Sequence, residues 1–362
     1  MIYTVTVNPA LDVTLLCNAP VAPGTARPRE EWRHAGGKGI DVSRAIRNLG
    51  GPSVAMGLLG GFTGHVIEGL LLEDALEIDF VRISQETRTN VIIITPDPAD
   101  AAQKVTYRYN APGPGFQPIE YLELYGKIRD LAAAPLDQRP TYAAICGSLS
   151  GTEMNASSYV SIIREFKRMG AVTALDTSGA AMKEALRYAP RPDIVKPNIA
   201  EFNELMGDGL LSPAEKTGEL SPSEKEEILR RGCQSTCGGE GDERSEFWKR
   251  LLSQAIAFRA KYPDLSATLI TLGGAGMLLV QQGCIHHAWL NRPVEVVSPV
   301  GAGDAALGAF IFARDQNKGW DESLKLAVAA GGAAVTMPGT EAPSAEVVNG
   351  LTQNVEMHEE PV

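Results

Sequence analysis

Ser298-Pro299-Val300-Gly301-Ala302-Gly303-Asp304 stands between a β-branched run, Val294–Val297, and an Ala-rich stretch of helical character that begins near Ala302. A strand, a glycine turn and a helix in that order is a βα unit of a mostly parallel sheet. The glycines permit a sharp turn and leave amide hydrogens open at a helix N-terminus, where the helix dipole also favours an anion. Asp304, one residue past the turn, is placed to take the proton of a hydroxyl that attacks phosphorus held there. Taken alone, the same residues also fit an ordinary helix start with an acidic first turn.

Working outward, short β-branched runs alternate with amphipathic stretches. Strands are expected at Ile2–Val7, Ser53–Leu59, Ala143–Cys146, Val172–Leu175, Asp193–Val195 and Thr268–Thr271, and helices at Ile40–Asn48, His65–Leu76, Ser157–Met169 and Ala180–Tyr188. This is an α/β pattern. Arg29–Arg33, Phe80–Ile83, Asn90–Thr95 and Lys104–Tyr109 follow one another without helices between, which predicts a small antiparallel sheet standing off the body as a flap over a site. Residues 207–245, rich in Gly, Ser, Glu and Lys, read as a surface insertion, and residues 353–362 as a frayed acidic tail.

The 362 residues carry 33 basic against 44 acidic side chains, a formal charge of −11. That balance argues against binding nucleic acid or an anionic membrane. No apolar run reaches a membrane span, the N-terminus lacks the pattern of a signal peptide, and five scattered cysteines do not form a disulfide framework. A cytoplasmic protein is expected.

The turn at 301–304 resembles the second signature of the ribokinase-like (PfkB) carbohydrate kinases. Their first signature is matched by Gly36-Gly37-Lys38-Gly39-Ile40-Asp41-Val42-Ser43-Arg44 with Leu49-Gly50, at the other end of the chain. Thr6–Asp12, Thr87-Arg88-Thr89-Asn90, Asn110–Pro114 and Asp176-Thr177-Ser178-Gly179 are similar to the 1-phosphofructokinase and tagatose-6-phosphate kinase branch. The resemblance implies an α/β three-layer sandwich with a mostly parallel central sheet and a β-sheet lid. One kinase domain would span residues 1–352, with lid strands within about 10–35 and 80–110. It also implies ATP, Mg2+ and a sugar phosphate as ligands, and a homodimer joined through the lid.

Carried over residue by residue, Gly301, Ala302 and Gly303 would hold developing phosphate charge and Asp304 would be the base. Asp12, Gly36, Gly37, Asp41, Asn90 and Asn110 would meet the sugar, and Lys38 and Arg88 its phosphate. Lys196, Asn198, Thr271, Gly273, Gly276 and Gly332 would line the nucleotide site, with Asn198 and Glu201 as the Asn-x-x-Glu motif tied to magnesium. Asn198 and Glu201 also fit a capping box. Asp41 departs from the family's usual Asn, since an ionised Asp only accepts hydrogen bonds and would repel a phosphate. Ala111 replaces an acid common in the branch.

No Gly-x-x-x-x-Gly-Lys-[Ser/Thr] occurs, which excludes a Walker-type loop, and no Gly-x-Gly-x-x-Gly follows the first strand, which argues against a dinucleotide enzyme. A kinase of an unphosphorylated sugar or nucleoside remains open, as does a catalytically silent sugar-phosphate sensor. The intact Asp304 with Gly301 and Gly303 weighs against the sensor. The residues do not choose among fructose 1-phosphate, tagatose 6-phosphate and fructose 6-phosphate.

Overall fold

Ile-Tyr-Thr-Val-Thr, the β-branched run at residues 2–6, is buried at every position. In the computed structural model, which describes residues 1–19, 24–98, 104–149, 156–207, 210 and 243–360, this strand, β1 (Ile2–Thr6), lies inside the parallel part of the main sheet. It pairs with β4 (Ser53–Gly60) on one side and β8 (Tyr142–Cys146) on the other. β5 (Glu77–Ile83) lies beyond β4, and β9 (Val172–Asp176), β10 (Ile194–Val195) and β11 (Ala267–Thr271) extend the parallel run beyond β8. An antiparallel meander of β12 (Met277–Gln281), β13 (Cys284–Leu290) and β14 (Val355–Glu360) completes the ten-stranded sheet.

Because side chains alternate along a strand, the sheet feeds two cores. Tyr3, Val5, Ile145 and Leu175 enter one, closed by α3 (Pro118–Asp130), α4 (Ser158–Arg168), α5 (Gly179–Arg187), α6 (Ile199–Leu205) and α7 (Glu243–Lys261). Ile2, Ala144 and Ala174 enter the other, closed by α1 (Lys38–Asn48), α8 (Ala302–Asp315), α9 (Trp320–Ala334) and α10 (Ala345–Thr352). The alanines of α8 and α9 let these helices approach closely beneath the site. The expected three layers are present. No helix among the described residues is long and apolar enough to cross a membrane.

A separate sheet of β2 (Ala10–Leu16), β3 (Glu30–Gly36), β6 (Arg88–Pro96) and β7 (Lys104–Tyr109), in the order β3-β2-β6-β7, forms the lid. Leu11 and Ala35 anchor it, packing with Ile40 and Leu59 and with Ile67 and Leu71 of α2 (Gly61–Glu73). The register sets His34, Asp12 and Asn90 side by side across three lid strands.

Several expectations are corrected. Phe80–Ile83 belongs to β5 of the main sheet, because Val81 and Ile83 are claimed by the core that holds β1. β2 takes its place in the lid and runs parallel to β6, so the lid is a mixed sheet and not the antiparallel one expected. Val294–Val297 is not a strand: no neighbouring strand offers it a ladder, and Val296 and Val297 are more than half exposed. Within the expected acidic tail, the described residues are not frayed. Residues 355–360 pair with β13, with Val355 and Glu360 buried while Glu356 and Glu359 face solvent, a charged edge that discourages further strand addition. Most of the insertion at 207–245 lies outside the described residues.

Ending the chain after Gln353 should therefore open the edge of β13 and lower the Tm by about 5 °C or more. Differential scanning calorimetry of the truncated and full chains tests this, and an unchanged Tm would return the segment to the role of a tail.

Candidate active site

Parallel sheets gather functional residues at the carboxyl ends of their strands. Asp176 ends β9, Lys196 follows β10 and Thr271 ends β11, while α8 brings Asp304 to the same edge. The wholly buried Asp176 takes a hydrogen bond from Lys38 Nζ on Oδ1 at 2.7 Å, and Lys196 Nζ lies 2.8 Å from Oδ2. Burial alone would push the Asp176 carboxyl up, but Lys196 and Lys38 outweigh it and hold it below its ordinary value. Against the same desolvation, Asp176 and Asp304 keep the Lys38 ammonium charged.

Asp304 is buried close to Asp176. Burial first, and the Asp176 charge second, push its carboxyl up to about 7. The two lysines only partly offset this. A carboxylate poised near neutrality, beside two cations, is suited to accept a proton.

Asp176 carries none of the roles that the sequence assigned. It stood there only as part of a stretch marking a branch, although an acid at the end of a parallel strand is a signal that could have found it.

The turn before α8 has the expected form. Gly301 adopts the left-handed conformation, φ 79°, which a side chain would strain, and its carbonyl accepts from the amides of Asp304 and Ala305. The amides of Ala302 and Gly303, at the start of the helix, have no acceptor within it. They open on a cavity of about 520 Å³. Lys38, Lys196, Asn198, Glu201, Thr271, Gly273, Gly276 and Gly332 line it with Asp304, and Leu290, Val328 and Val335 add apolar surface. Every residue assigned to the nucleotide is thus brought together. Asn198 and Glu201 also form the capping box of α6: Glu201 N donates to Asn198 Oδ1 at 2.9 Å, and Asn198 N to Glu201 Oε2 at 2.8 Å.

The acceptor-side residues form a second group under the lid. Asn90 Nδ2 donates to Asp12 Oδ1 at 2.7 Å, and Asn90 Oδ1 accepts from the Ala111 amide at 3.1 Å. Burial raises the Asp12 carboxyl despite that hydrogen bond. Gly36 lies so close that a Cβ there would sit 2.2 Å from Asp12 Oδ2. Gly37 is the N-cap of α1, and Asn110 is exposed just after β7.

Asp41 is buried and paired with Arg44 at 2.8 Å, and Arg44 reaches Asp74 at 2.6 Å. Burial, with Asp304 and Asp12 nearby, outweighs Arg44 and raises the Asp41 carboxyl well above its ordinary value. Lys38 and Arg88 were expected to share one anion, and the structure gives them separate partners. Lys38 holds Asp176, whereas Arg88 donates to the carbonyls of Asn8, Pro9 and Ala111 at 3.1, 3.4 and 3.0 Å.

A curated 1-phosphofructokinase of Borreliella burgdorferi is 29% identical over 332 residues, 91% of this chain and 90% of the relative. The crystal structure of Escherichia coli phosphofructokinase-2 in complex with fructose-6-phosphate matches with a TM-score of 0.76 at 23% identity, over 97% of this chain and 98% of that one. The Arabidopsis thaliana ribokinase complexed with ribose and ATP matches with a TM-score of 0.64 at 20% identity, over 97% and 98%. The fold is therefore the ribokinase-like α/β fold. The family model described as pfkB family carbohydrate kinase matches residues 7–234 and 239–347, and with both glycine signatures and Asp304 in place, the chain belongs to that family.

Proposed function

We propose that the protein is a cytoplasmic enzyme that transfers the γ-phosphoryl group of ATP to a hydroxyl of a hexose phosphate, giving a hexose bisphosphate, with fructose 1-phosphate as the leading acceptor. The observation that carries this reading is Asp304, a buried carboxyl raised to about 7 that lies beside two lysines and the open amides of α8. The relative named 1-phosphofructokinase supports the choice of acceptor.

In the reaction, the acceptor hydroxyl gives its proton to Asp304 as its oxygen bonds to the γ-phosphorus. The bond from phosphorus to the bridging oxygen breaks, and ADP leaves. Charge on the transferring group is met by the amides of Ala302 and Gly303 and by Lys38 and Lys196, groups already fixed before the reaction. Asn198 and Glu201 would hold Mg2+, which neutralises phosphate charge when bound. Their donor set of one amide and one carboxylate suits a cation that keeps most of its waters.

Asp12, Asn90 and the backbone at Gly36 receive sugar hydroxyls. Arg88 spends three N–H groups on carbonyls, and its remaining two would face the acceptor's phosphate. Asp41 suits a hydroxyl better than a phosphate, and in its protonated form it can donate as the family's Asn does. The separate partners of Lys38 and Arg88 favour a second reading, an unphosphorylated sugar as acceptor.

A coupled ATPase assay over fructose 1-phosphate, fructose 6-phosphate, tagatose 6-phosphate, fructose and ribose separates the two, with the highest kcat/KM expected for fructose 1-phosphate. Highest activity on a free sugar would overturn the hexose-phosphate reading. Asp304 works as a base only when deprotonated, so kcat/KM should fall as pH drops below about 7.

Asp304→Asn should lower turnover by about a hundredfold or more. The same variant should gain stability. An ordinary Asp value of 3.8 is raised in the folded state to about 7, so the folded chain holds its proton longer than the unfolded chain. The stability present below pH 3.8 is lost as pH rises toward 7. Asn cannot ionise, so its Tm at pH 8 should exceed the parent's by roughly a few degrees, with the two converging near pH 4. A lower Tm at pH 8 would show that the ionised carboxylate is favourable there.

We further propose a homodimer joined through the lid, whose edge strands β3 and β7 have no second partner among the described residues and whose Tyr107 and Tyr109 are exposed. Sedimentation at micromolar concentration should give a dimer, and a single monomer species refutes it.

A further inference from the structure

We infer that His287 is a positioning residue for the nucleotide, holding in shape the Gly273–Gly276 turn that borders the cavity; this rests on the ATP reading above. The turn joins β11 to β12 and is closed by Leu272 N donating to the Gly276 carbonyl at 2.8 Å and Gly276 N to the Gly273 carbonyl at 3.0 Å. One carbonyl within it, that of Ala275, is bound from outside, by His287 Nε2 at 2.7 Å. A carbonyl can only accept, so Nε2 carries the proton. Burial drives the ring down to about 4, so it stays neutral through the physiological range and the tautomer is fixed.

The ring is 2% exposed and lies between two indoles, Trp248 of α7 at 4.8 Å and Trp289 of β13 at 4.7 Å, the latter stacked at 25°. It cannot swing away without breaking both contacts. β13 also meets the turn directly, since a Cβ at Gly276 would sit 2.0 Å from the Ala288 carbonyl oxygen. Gly273, Gly274 and Gly276 face the cavity that runs to Asp304, so the hydrogen bond from His287 fixes one wall of the nucleotide site from behind. No motif in the sequence marks this residue.

The test uses the full chain carrying His287→Leu or His287→Gln, with ATP affinity from calorimetry and KM values for ATP and fructose 1-phosphate. The Leu variant should weaken ATP binding and raise KM for ATP about tenfold. Its kcat and its KM for the sugar phosphate should stay within about twofold. The Gln variant, whose amide reaches the same carbonyl, should recover most of the loss. Should the Leu variant not fold, His287→Asn, polar but too short to reach Ala275, is read against Gln by the same criterion. Parent protein that fails to bind ATP overturns the kinase reading and this inference with it. Normal parent binding with unchanged affinity in the Leu or Asn variant, a uniform loss in kcat and both KM values, or no recovery with Gln overturns the inference alone.

Discussion

Asp176 holds two ammonium groups at once, Lys38 from the start of α1 and Lys196 from the end of β10. Lys196, buried away from water, could not be left unpaired without a large desolvation cost, whereas Lys38 keeps more than a third of its side chain exposed; removing the carboxylate would leave both cations without it. The shared carboxylate ties the first glycine signature to the middle of the sheet and sets the field in which Asp304 ionises. An arriving triphosphate would offer the lysines a second anion. The arrangement is thus ready for a ligand more negative than the protein that surrounds it, within a chain of net charge −11.

A second charged group stands on the acceptor side. Arg44 lies between Asp41 and Asp74, so Asp41 is neither a free anion nor a copy of an amide. Its neighbours Asp12 and Asp304 make full ionisation of all three acids expensive. A sugar hydroxyl entering among them finds acceptors in excess and few donors, which favours polyols over anions at that point. The lid strands carry Asp12 and Asn90 while the body carries Asp304, so on the proposed roles acceptor and base would meet only where the two sheets adjoin.

The parts of this structure legible in the sequence were those with local chemistry. Gly301 and Asp304 announce themselves because a glycine turn before a helix has few physical explanations, and Asn198 with Glu201 were readable as a cap whatever else they do. The parallel order of the sheet followed from alternation of period 2 with period 3.6. Strand membership did not, since Phe80–Ile83 and residues 355–360 are assigned by which core or edge receives them, a fact of tertiary packing. The partners of Lys38 and Arg88 were hidden for the same reason. A cation in a sequence declares its charge, but here the carboxylate that meets Lys38 and the Asn8 and Pro9 carbonyls that meet Arg88 lie on elements distant in the chain. His287 was the hardest case, being a buried histidine whose sequence neighbours carry no trace of the turn it supports.

β1 lies in the interior of the sheet, with a strand on each side, although it is the first strand made. Its parallel partners pair Ile2 with Ser53 on one side and with Tyr142 on the other. The second of these closes a long loop before any ladder contact repays the entropy. Until β8 is available, one edge of a wholly buried apolar strand stands open to other chains. Such a topology folds slowly and from a nucleus that must already span distant segments, so its success in a crowded cell depends on how quickly that loop closes relative to encounters between half-made copies.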